Sequence, residues 1–381
     1  MLARLRQRLE TAIPRAADPA AAGRLRGELA CLLARYGDLD RARQEVATLR
    51  SEFHDRPEIG VSAWLALAEG LIAYYADLDT GCRDKLLRAH SLSAAARLRS
   101  LQALSAAWLA LLDYVEHDGD SMAQRLRHAL DMSTPDDHGV RARACVVAGQ
   151  AYHWGGRLDR AQPWYDRARH HALAEGDDAM MSAILFNRSA IQMNLQREAE
   201  AQGVVGLGAP ASSGVLARQS GEVLMGAEST QRFDQMVGTT SLSVLHPLLR
   251  AQILTIHGQA DEALALFEQH YAAGMAQGMA GRVALLRADM ARCEALRSHA
   301  ARALELAREA EDGLDSLEDL EDRAATRCRL IQIYEDCGGE AERALVLKHR
   351  ERAASHWQKH LSQQARWVER LDAVLGPGAQ A

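Results

Sequence analysis

The stretch Ala142–His171, ARACVVAGQAYHWGGRLDRAQPWYDRARHH, decides how the whole chain is read. Its small and aromatic residues stand at the offsets that two antiparallel helices require. Gly149 and Tyr152 fall on a first helix, Gly156 at a turn, and Ala161, Tyr165 and Ala168 on a second. Gly149 and Ala161 carry too little side chain to hold two backbones apart, and Tyr152 and Tyr165 fill the space beside them. Gly156 ends the first helix, because glycine accepts the left-handed conformation a tight helix end needs. The stretch therefore predicts a helical hairpin.

Followed outward, the small residue of the second helix recurs as Ala42, Cys82, Ala123, Ala161, Ala199 or Ala201, Ala263, Ala303 and Ala344, at intervals mostly of 38 to 41 residues. Other repeats keep part of the pattern: Ala30, Leu33, Gly37 and Ala42; Trp64, Leu67, Ala68 and Leu71; Tyr114, Ala123, Leu130 and Pro135; Ala251, Leu254, Gly258, Ala263 and Phe267. The interval of 62 between Ala201 and Ala263 leaves room for a decayed hairpin around residues 218–237. These residues resemble the tetratricopeptide repeat (TPR) family, over nearly the whole chain. The period near 40, longer than the family's 34, is similar to the irregular TPR arrays of bacterial regulatory proteins. The resemblance implies an all-α, TPR-like right-handed superhelical solenoid of about eight antiparallel hairpins, in which each hairpin buries its apolar face against its neighbours.

Composition agrees with helix throughout. Ala and Leu abound, Pro numbers 8 and aromatics make up 5% of 381 residues, which leaves little for strands. A net charge of −6 gives no electrostatic footprint for nucleic acid. The six cysteines, Cys31, Cys82, Cys145, Cys293, Cys328 and Cys337, are widely spaced without a CxxC pair. Three of them take helical repeat positions as small buried thiols, which points to a reducing compartment. Residues 1–22 carry Leu2, Leu5, Leu9 and Ile13 at helical spacing with Arg4, Arg6 and Arg8 between, an amphipathic helix that caps the first hairpin rather than an apolar signal core. No run approaches the ~18 apolar residues of a membrane span, so a soluble, cytoplasmic protein without a membrane partner is expected.

The segment 203–238 breaks the pattern. Gly203, Gly206, Gly208, Pro210, Gly214, Gly221, Gly226 and Gly238 are expected to interrupt any long helix there. The domain reading is an N-terminal array at 1–202, a degenerate Gly-rich joint at 203–241, a C-terminal array at 242–339 and a long capping or coiled-coil helix at 340–376. The glycines from Gly203 to Gly208 match no nucleotide-binding fingerprint, since no strand precedes them and no Lys-Ser/Thr follows. Nothing has the spacing of a catalytic motif, and no enzyme activity or cofactor is implied. His356 and His360, four apart, form a metal pair only with a third ligand such as His349, and a solvated surface is the plainer reading.

The resemblance also supplies candidate groove residues. In the TPR family the first helix of each pair lines the concave face, through its second, fifth, ninth, twelfth and thirteenth positions. Carried onto the best-registered repeat, these are Arg143, Val146, Gln150, His153 and Trp154. Flanking repeats contribute Leu65 and Glu69, Trp108 and Leu112, and Leu248 and Gln252; Asn187 and Arg188 follow in a register ambiguous by two residues. Trp108 and Trp154 serve equally well as packing between hairpins. Polar groups alternating with apolar pockets suit an extended or helical peptide. The carboxylate clamp of chaperone-adaptor TPR domains has no match, because Val146 and Gln150 stand where that clamp needs Lys and Asn. Bacterial peptide-pheromone receptors use arrays of similar size. Their transcriptional members begin with a helix-turn-helix and the related response-regulator phosphatases with an N-terminal bundle, neither of which residues 1–60 suggest.

Charge is uneven. Residues 305–322 hold nine acids against Arg308, a net of 1 − 9 = −8, while 342–370 hold seven Lys/Arg against three Glu, 7 − 3 = +4. The two runs are expected to face one another or a charged partner. From Glu340 to Leu375 no Pro or Gly intervenes, about 36 residues or ~54 Å of helix. Leu347, Ala354, Leu361, Val368 and Leu375 recur every seven, with Trp357 and Leu371 in the alternate seam. This end resembles the connecting helix of TPR sensor regions ahead of diguanylate cyclase output domains, although no GGDEF motif is present. Beyond Trp357 nothing is expected to remain for the helix to cap, so its later heptads point to a homodimer, with folding back along the array as the competitor. Together these features predict a regulatory or scaffolding module that binds a peptide or protein segment in its groove. Receptors for small signalling ligands and regulatory subunits of a separate catalytic chain are the alternatives.

Overall fold

A computed structural model describes residues 4–78, 80–206, 213–241 and 243–376, with the side chains of 213–222 set aside; Leu2, Gly208, Pro210, Pro377 and Gly378 lie outside the described residues. Among the described residues there are seventeen α-helices and no strand. After α1 (Arg4–Ala12) come α2 (Pro19–Tyr36) and α3 (Leu39–Glu52), α4 (Ile59–Asp77) and α5 (Arg83–Ala95), α6 (Arg99–Val115) and α7 (Gly119–Met132), and α8 (His138–Trp154) and α9 (Leu158–Glu175). Then follow α10 (Asp178–Val205), α11 (Ser213–Val237), α12 (Leu245–Ile256), α13 (Ala260–Gly274), α14 (Val283–Leu296), α15 (Ala300–Asp312), α16 (Leu320–Cys337) and α17 (Glu340–Leu375). The chain forms two compact units, one of residues 1–187, 233–242 and 366–381, the other of 188–232 and 243–365.

The hairpin of the opening stretch is α8 packed along α9. Ala161 and Ala168 are fully buried, and a Cβ on Gly149 would stand 3.0 Å from the Tyr165 ring, so the close approach at Gly149 is to that ring. Gly156, at φ +71°, closes the turn: its N–H donates to His153 O and the Arg157 N–H to Tyr152 O, both at 2.9 Å. This double bond satisfies the last carbonyls of α8. The same pair of bonds recurs at Gly37, His117, Gly258 and Ser298. His117 and Ser298 adopt the left-handed conformation without being glycine, at φ 60° and 64°. Helix starts are equally local. Asp18, ahead of Pro19, accepts from Ala21 N at 2.7 Å, and Asp118 accepts from Ser121 N at 3.0 Å.

Several expectations are corrected. Ala199 and Ala201 do not open a second helix: α10 runs unbroken for 28 residues through both. The interval of 62 holds no extra hairpin, since α11 over 213–237 is the next helix after α10. It continues for 25 residues through Gly214, Gly221 and Gly226, which do not interrupt it. The helix α4, 19 residues long, is apolar enough by length and composition to cross a membrane. Here Val61, Ala63, Leu67 and Leu71 are buried in the core of the first unit.

The last helix spans 36 residues, Glu340–Leu375, and its buried face follows the predicted heptad only in part: Trp357, Val368, Leu371 and Leu375 are covered, while Leu347, Ala354 and Leu361 are not. Ala344 is exposed, Leu347 is 72% exposed and Leu361 39%. Within the second unit the covered positions are Val346, His349, Ala353, Trp357, His360 and Gln364. Within the first, Trp367, Val368, Leu371 and Leu375 join the hydrophobic core, so the region beyond Trp357 does have a surface to cover. Trp367 packs against Trp154 with ring centroids 4.6 Å apart, and Tyr152 Oη donates to Asp372 Oδ1 at 2.9 Å. The acidic run meets this helix in two places: His349 Nε2 lies 3.1 Å from Glu311 Oε1, and Arg308, the one base of the run, pairs with Glu342 at 3.0 Å.

Candidate functional site

The first unit holds a cavity of about 250 Å³ lined by α1, α2, α4, α6 and α8 and by residues at the α9–α10 turn. Leu5 and Leu9 of α1 close one side, and both are buried. The helix α1 is held there from two directions. It packs on α2, while Leu5 N–H donates to Gly176 O at 3.3 Å, Arg4 Nη2 to Leu173 O at 3.4 Å, and Arg8 pairs with Glu175. The helix predicted to cap the first hairpin thus also reaches the turn between α9 and α10.

Three charged groups of the wall matter chemically. Arg143, at the second position of the groove register on α8, is 3% exposed and lays its guanidinium 3.8 Å above the Trp108 ring, which is itself 2% exposed. Tyr74 and Tyr75 stand edge-on to Trp108 at 6.1 and 6.2 Å. Aromatic faces attract a cation but do not satisfy its N–H groups. Arg143 Nε and Nη2 are buried without a hydrogen-bond partner among the described residues. Burial, with Arg35 nearby, pulls its pKa below the usual arginine value.

Arg35, by contrast, is paired. Its Nη1 lies 2.6 Å from Asp177 Oδ2, and Asp177 Oδ1 also caps α10 by accepting from Met180 N at 2.9 Å. The nearest carboxylate to both arginines is therefore already engaged. Glu28, one face of which touches the cavity while protein surrounds the rest, has its pKa pushed up to about 7 by burial and then by Glu175. Burial also pushes the Cys31 thiol up, so no thiolate is offered. At the mouth, Asp137 accepts from Ser100 Oγ and, at 2.7 Å, from Thr134 N.

The structure brings two of the sequence candidates, Trp108 and Arg143, together in this cavity. Val146 and Gln150, further along α8, are buried, with Gln150 Oε1 lacking a hydrogen-bond partner among the described residues. His153 Nδ1 lies 3.3 Å from Tyr165 Oη, and Trp154 packs on His117 and Trp367. Both serve the core here rather than the cavity wall. Glu69 pairs with Arg50 at 2.9 Å, Asn187 and Arg188 are half-buried on α10, and Gln252 Nε2 lies 3.3 Å from Asp289 in the second unit. His360, like His349, is 1% exposed, which corrects the solvated surface expected there, and no group of three or more metal-ligating side chains occurs among the described residues. Glu28, Arg35 and Asp177 went unpredicted. Glu28 and Arg35, seven apart and separated only by the apolar run Leu-Ala-Cys-Leu-Leu-Ala, were the available signal.

No family model matches this sequence, and no curated protein matches it either. Among solved structures the chain is similar to a Rap protein complexed with competence and sporulation factor, with a TM-score of 0.55 and 11% identity over 91% of this chain and 98% of that one. At such identity the likeness speaks to fold. The fold is a TPR-like helical repeat.

Proposed function

We propose that the chain is a non-enzymatic, TPR-like regulatory or scaffolding module of the bacterial cytoplasm, and that it binds a peptide or protein segment through the cavity of its first unit. The observation that carries this reading is Arg143, a buried guanidinium set on Trp108 with two nitrogens unpartnered among the described residues, in an enclosure that combines apolar and charged side chains. Convergent polar groups in a concave apolar site are the general mark of a ligand pocket. The Rap protein to which the chain is similar is complexed with a factor, which supports the reading at the level of fold. Buried free thiols such as Cys31 and Cys145 suit a reducing compartment.

A second reading, a receptor for a small signalling ligand, is favoured by the cavity's modest 250 Å³. Both are tested by placing a photo-cross-linking residue at exposed Ser100, irradiating in the cell lysate and measuring the mass of the adduct. A peptide adduct is expected. A metabolite adduct transfers the assignment to the second reading, and an unmodified protein removes both.

A further inference from the structure

We propose that the hairpin of α16 and α17 carries a binding site for a phosphate group, formed by Arg323 and Arg327 of α16 and by Arg352, His356 and Lys359 of α17. The site lies in the second unit and does not depend on the cavity of the first.

The topology puts these residues together. Only Gly338 and Gly339 separate α16 from α17. Glu335 pairs with Arg350 at 2.7 Å, and Ala324, Ala325 and Cys328 share a hydrophobic cluster with Ala353 and Trp357. These contacts fix an antiparallel register in which Arg327 falls beside His356 and Arg323 beside Lys359. Residues three or four apart on a helix share a face, so Arg323 and Arg327 are neighbours on α16, as His349, Arg352, His356 and Lys359 are on α17. The two stripes touch where Arg327 Nη1 donates to His349 Nδ1 at 3.1 Å.

What sets this group apart is charge without compensation. Elsewhere in the unit Arg197, Arg292, Arg308 and Arg350 each pair with a carboxylate. Among the described residues Arg323, Arg327, Arg352 and Lys359 have no such pair: Arg323 Nε donates to the Leu317 carbonyl and Arg327 to an imidazole. Arg327 is 6% exposed, and its Nε and His356 Nδ1 are buried without a hydrogen-bond partner among the described residues. A buried cation in this position is costly until an anion meets it. The carboxylates that act on Arg327 are Asp315 and Glu311, and Glu311 already accepts from Tyr334 Oη at 2.8 Å and lies 3.1 Å from His349 Nε2. Burial, and then Arg327, Arg323, Lys359 and Arg352, push the His356 pKa down to about 4. Four cations against two carboxylates match a dianion, and a phosphate group brings up to two charges on three acceptor oxygens. A carboxylate would fill one guanidinium fork and leave the other donors unmet.

The probes are inorganic phosphate and a tetrapeptide carrying phosphoserine, glutamate or serine at one position, titrated calorimetrically into the full chain at neutral pH and constant ionic strength. The phosphate probes are expected to bind, and the glutamate and serine peptides to bind at least about tenfold more weakly than phosphoserine. Arg352→Gln/Lys359→Gln removes two exposed cations and should leave the melt unchanged while weakening phosphate binding by a similar factor. The His356 ring gives a second readout by NMR, its signal assigned with His356→Gln. Phosphate should raise its pKa in the wild type, because a nearby anion favours the protonated ring, and should have little effect in the double variant. A phosphoserine peptide that binds more tightly than inorganic phosphate makes the source a phosphorylated segment, and the reverse makes it free phosphate. Binding that survives the double substitution, equal affinity for the glutamate peptide, or no binding of either phosphate probe to the folded wild type overturns the proposal.

Discussion

Arg143 in the first unit and Arg329 in the second are buried to the same degree, 3% exposed, and each sits on the helix that opens a pair, α8 and α16. Their surroundings differ completely. Arg329 donates to Asp289 Oδ1 at 2.9 Å, Glu200 Oε1 at 2.6 Å and Gln332 Oε1 at 3.0 Å, and its neighbour Arg197 is held by Glu321 and Asp322 at 3.2 and 3.0 Å. In this unit α10 brings Arg197 and Glu200 to helices α14 and α16, and each arginine meets a carboxylate, although Arg197 Nε and Nη1 and Arg329 Nη2 have no hydrogen-bond partner among the described residues. Burial alone would lower the pKa of Arg329, but Glu200 and Asp289 raise it; that of Arg143 is lowered. The same residue type at the same depth is thus a structural link where carboxylates pair with it and, on the proposed reading, a group left for a ligand where the nearest carboxylate is already engaged.

Removing each guanidinium should separate the two roles most sharply. Arg329→Met strands Asp289 and Glu200 in the interior and is expected to cost about 3–5 kcal/mol in urea unfolding, as breaking one half of a buried pair does. Arg143→Met strands no carboxylate and should change stability by no more than about 1 kcal/mol in either direction. A comparable loss from both would end the comparison.

Glu28 tests the first unit from the acidic side. Its carboxyl titrates near 7 in the folded chain against an ordinary 4.5, so between those values the folded state holds a proton that the unfolded state has released. Stability from this group is present in full below pH 4.5 and declines as pH rises through 7. Glu28→Gln should therefore stabilise the chain by about 1–3 kcal/mol at pH 8 and leave it nearly unchanged at pH 4. Thermal melts at the two pH values read this directly. A stabilisation independent of pH would show that the carboxyl is not held protonated by its surroundings.

The smallest effect compares turns. Gly156 closes α8 without steric strain, whereas Ser298 closes α14 with a side chain at φ 64°. Ser298 is exposed, so Ser298→Gly removes the strain with little else and should raise stability by about 0.5–1 kcal/mol. An unchanged or lowered melting temperature would mean that the turn is not strained.

These turns also show why parts of the fold were legible in the sequence. A hairpin is readable where a glycine marks its turn and small residues mark its contact, as at Gly149, Gly156 and Ala161. It is harder to read where Ser298 or His117 occupies the left-handed position, because no residue type announces that conformation. The pair formed by α10 and α11 was misread for a related reason: α10 runs on through Ala199 and Ala201, where a regular period puts a second helix, and periodicity cannot say which helix a small residue belongs to. For α17 the length followed from the lack of Pro and Gly, and the heptad found Trp357, Val368, Leu371 and Leu375 but not the rest of the buried face. Its covered positions include His349, His360 and Gln364, polar residues that a hydrophobic heptad passes over. In the site, the family register brings out Arg143 and Trp108 because they lie on first helices. Glu28, Arg35 and Asp177 escape it, since their juxtaposition depends on the α9–α10 turn returning to α2, a contact 142 residues apart in sequence for Arg35 and Asp177.

The placement of α1 has a consequence for how the first unit holds together. In an open array each hairpin answers only to its neighbours, so unfolding can begin at an end and proceed stepwise. Here Leu5 and Leu9 bind the array at α2 while Leu5 N–H and Arg8 fasten to the turn after α9, 167 to 171 residues away in sequence for Arg8–Glu175 and Leu5–Gly176. A strap tied to the first and fourth hairpins makes loss at either end felt at the other. The unit is in this sense a closed circuit of contacts, whose first nine described residues tie its two ends together and favour unfolding as one body over stepwise loss from an end.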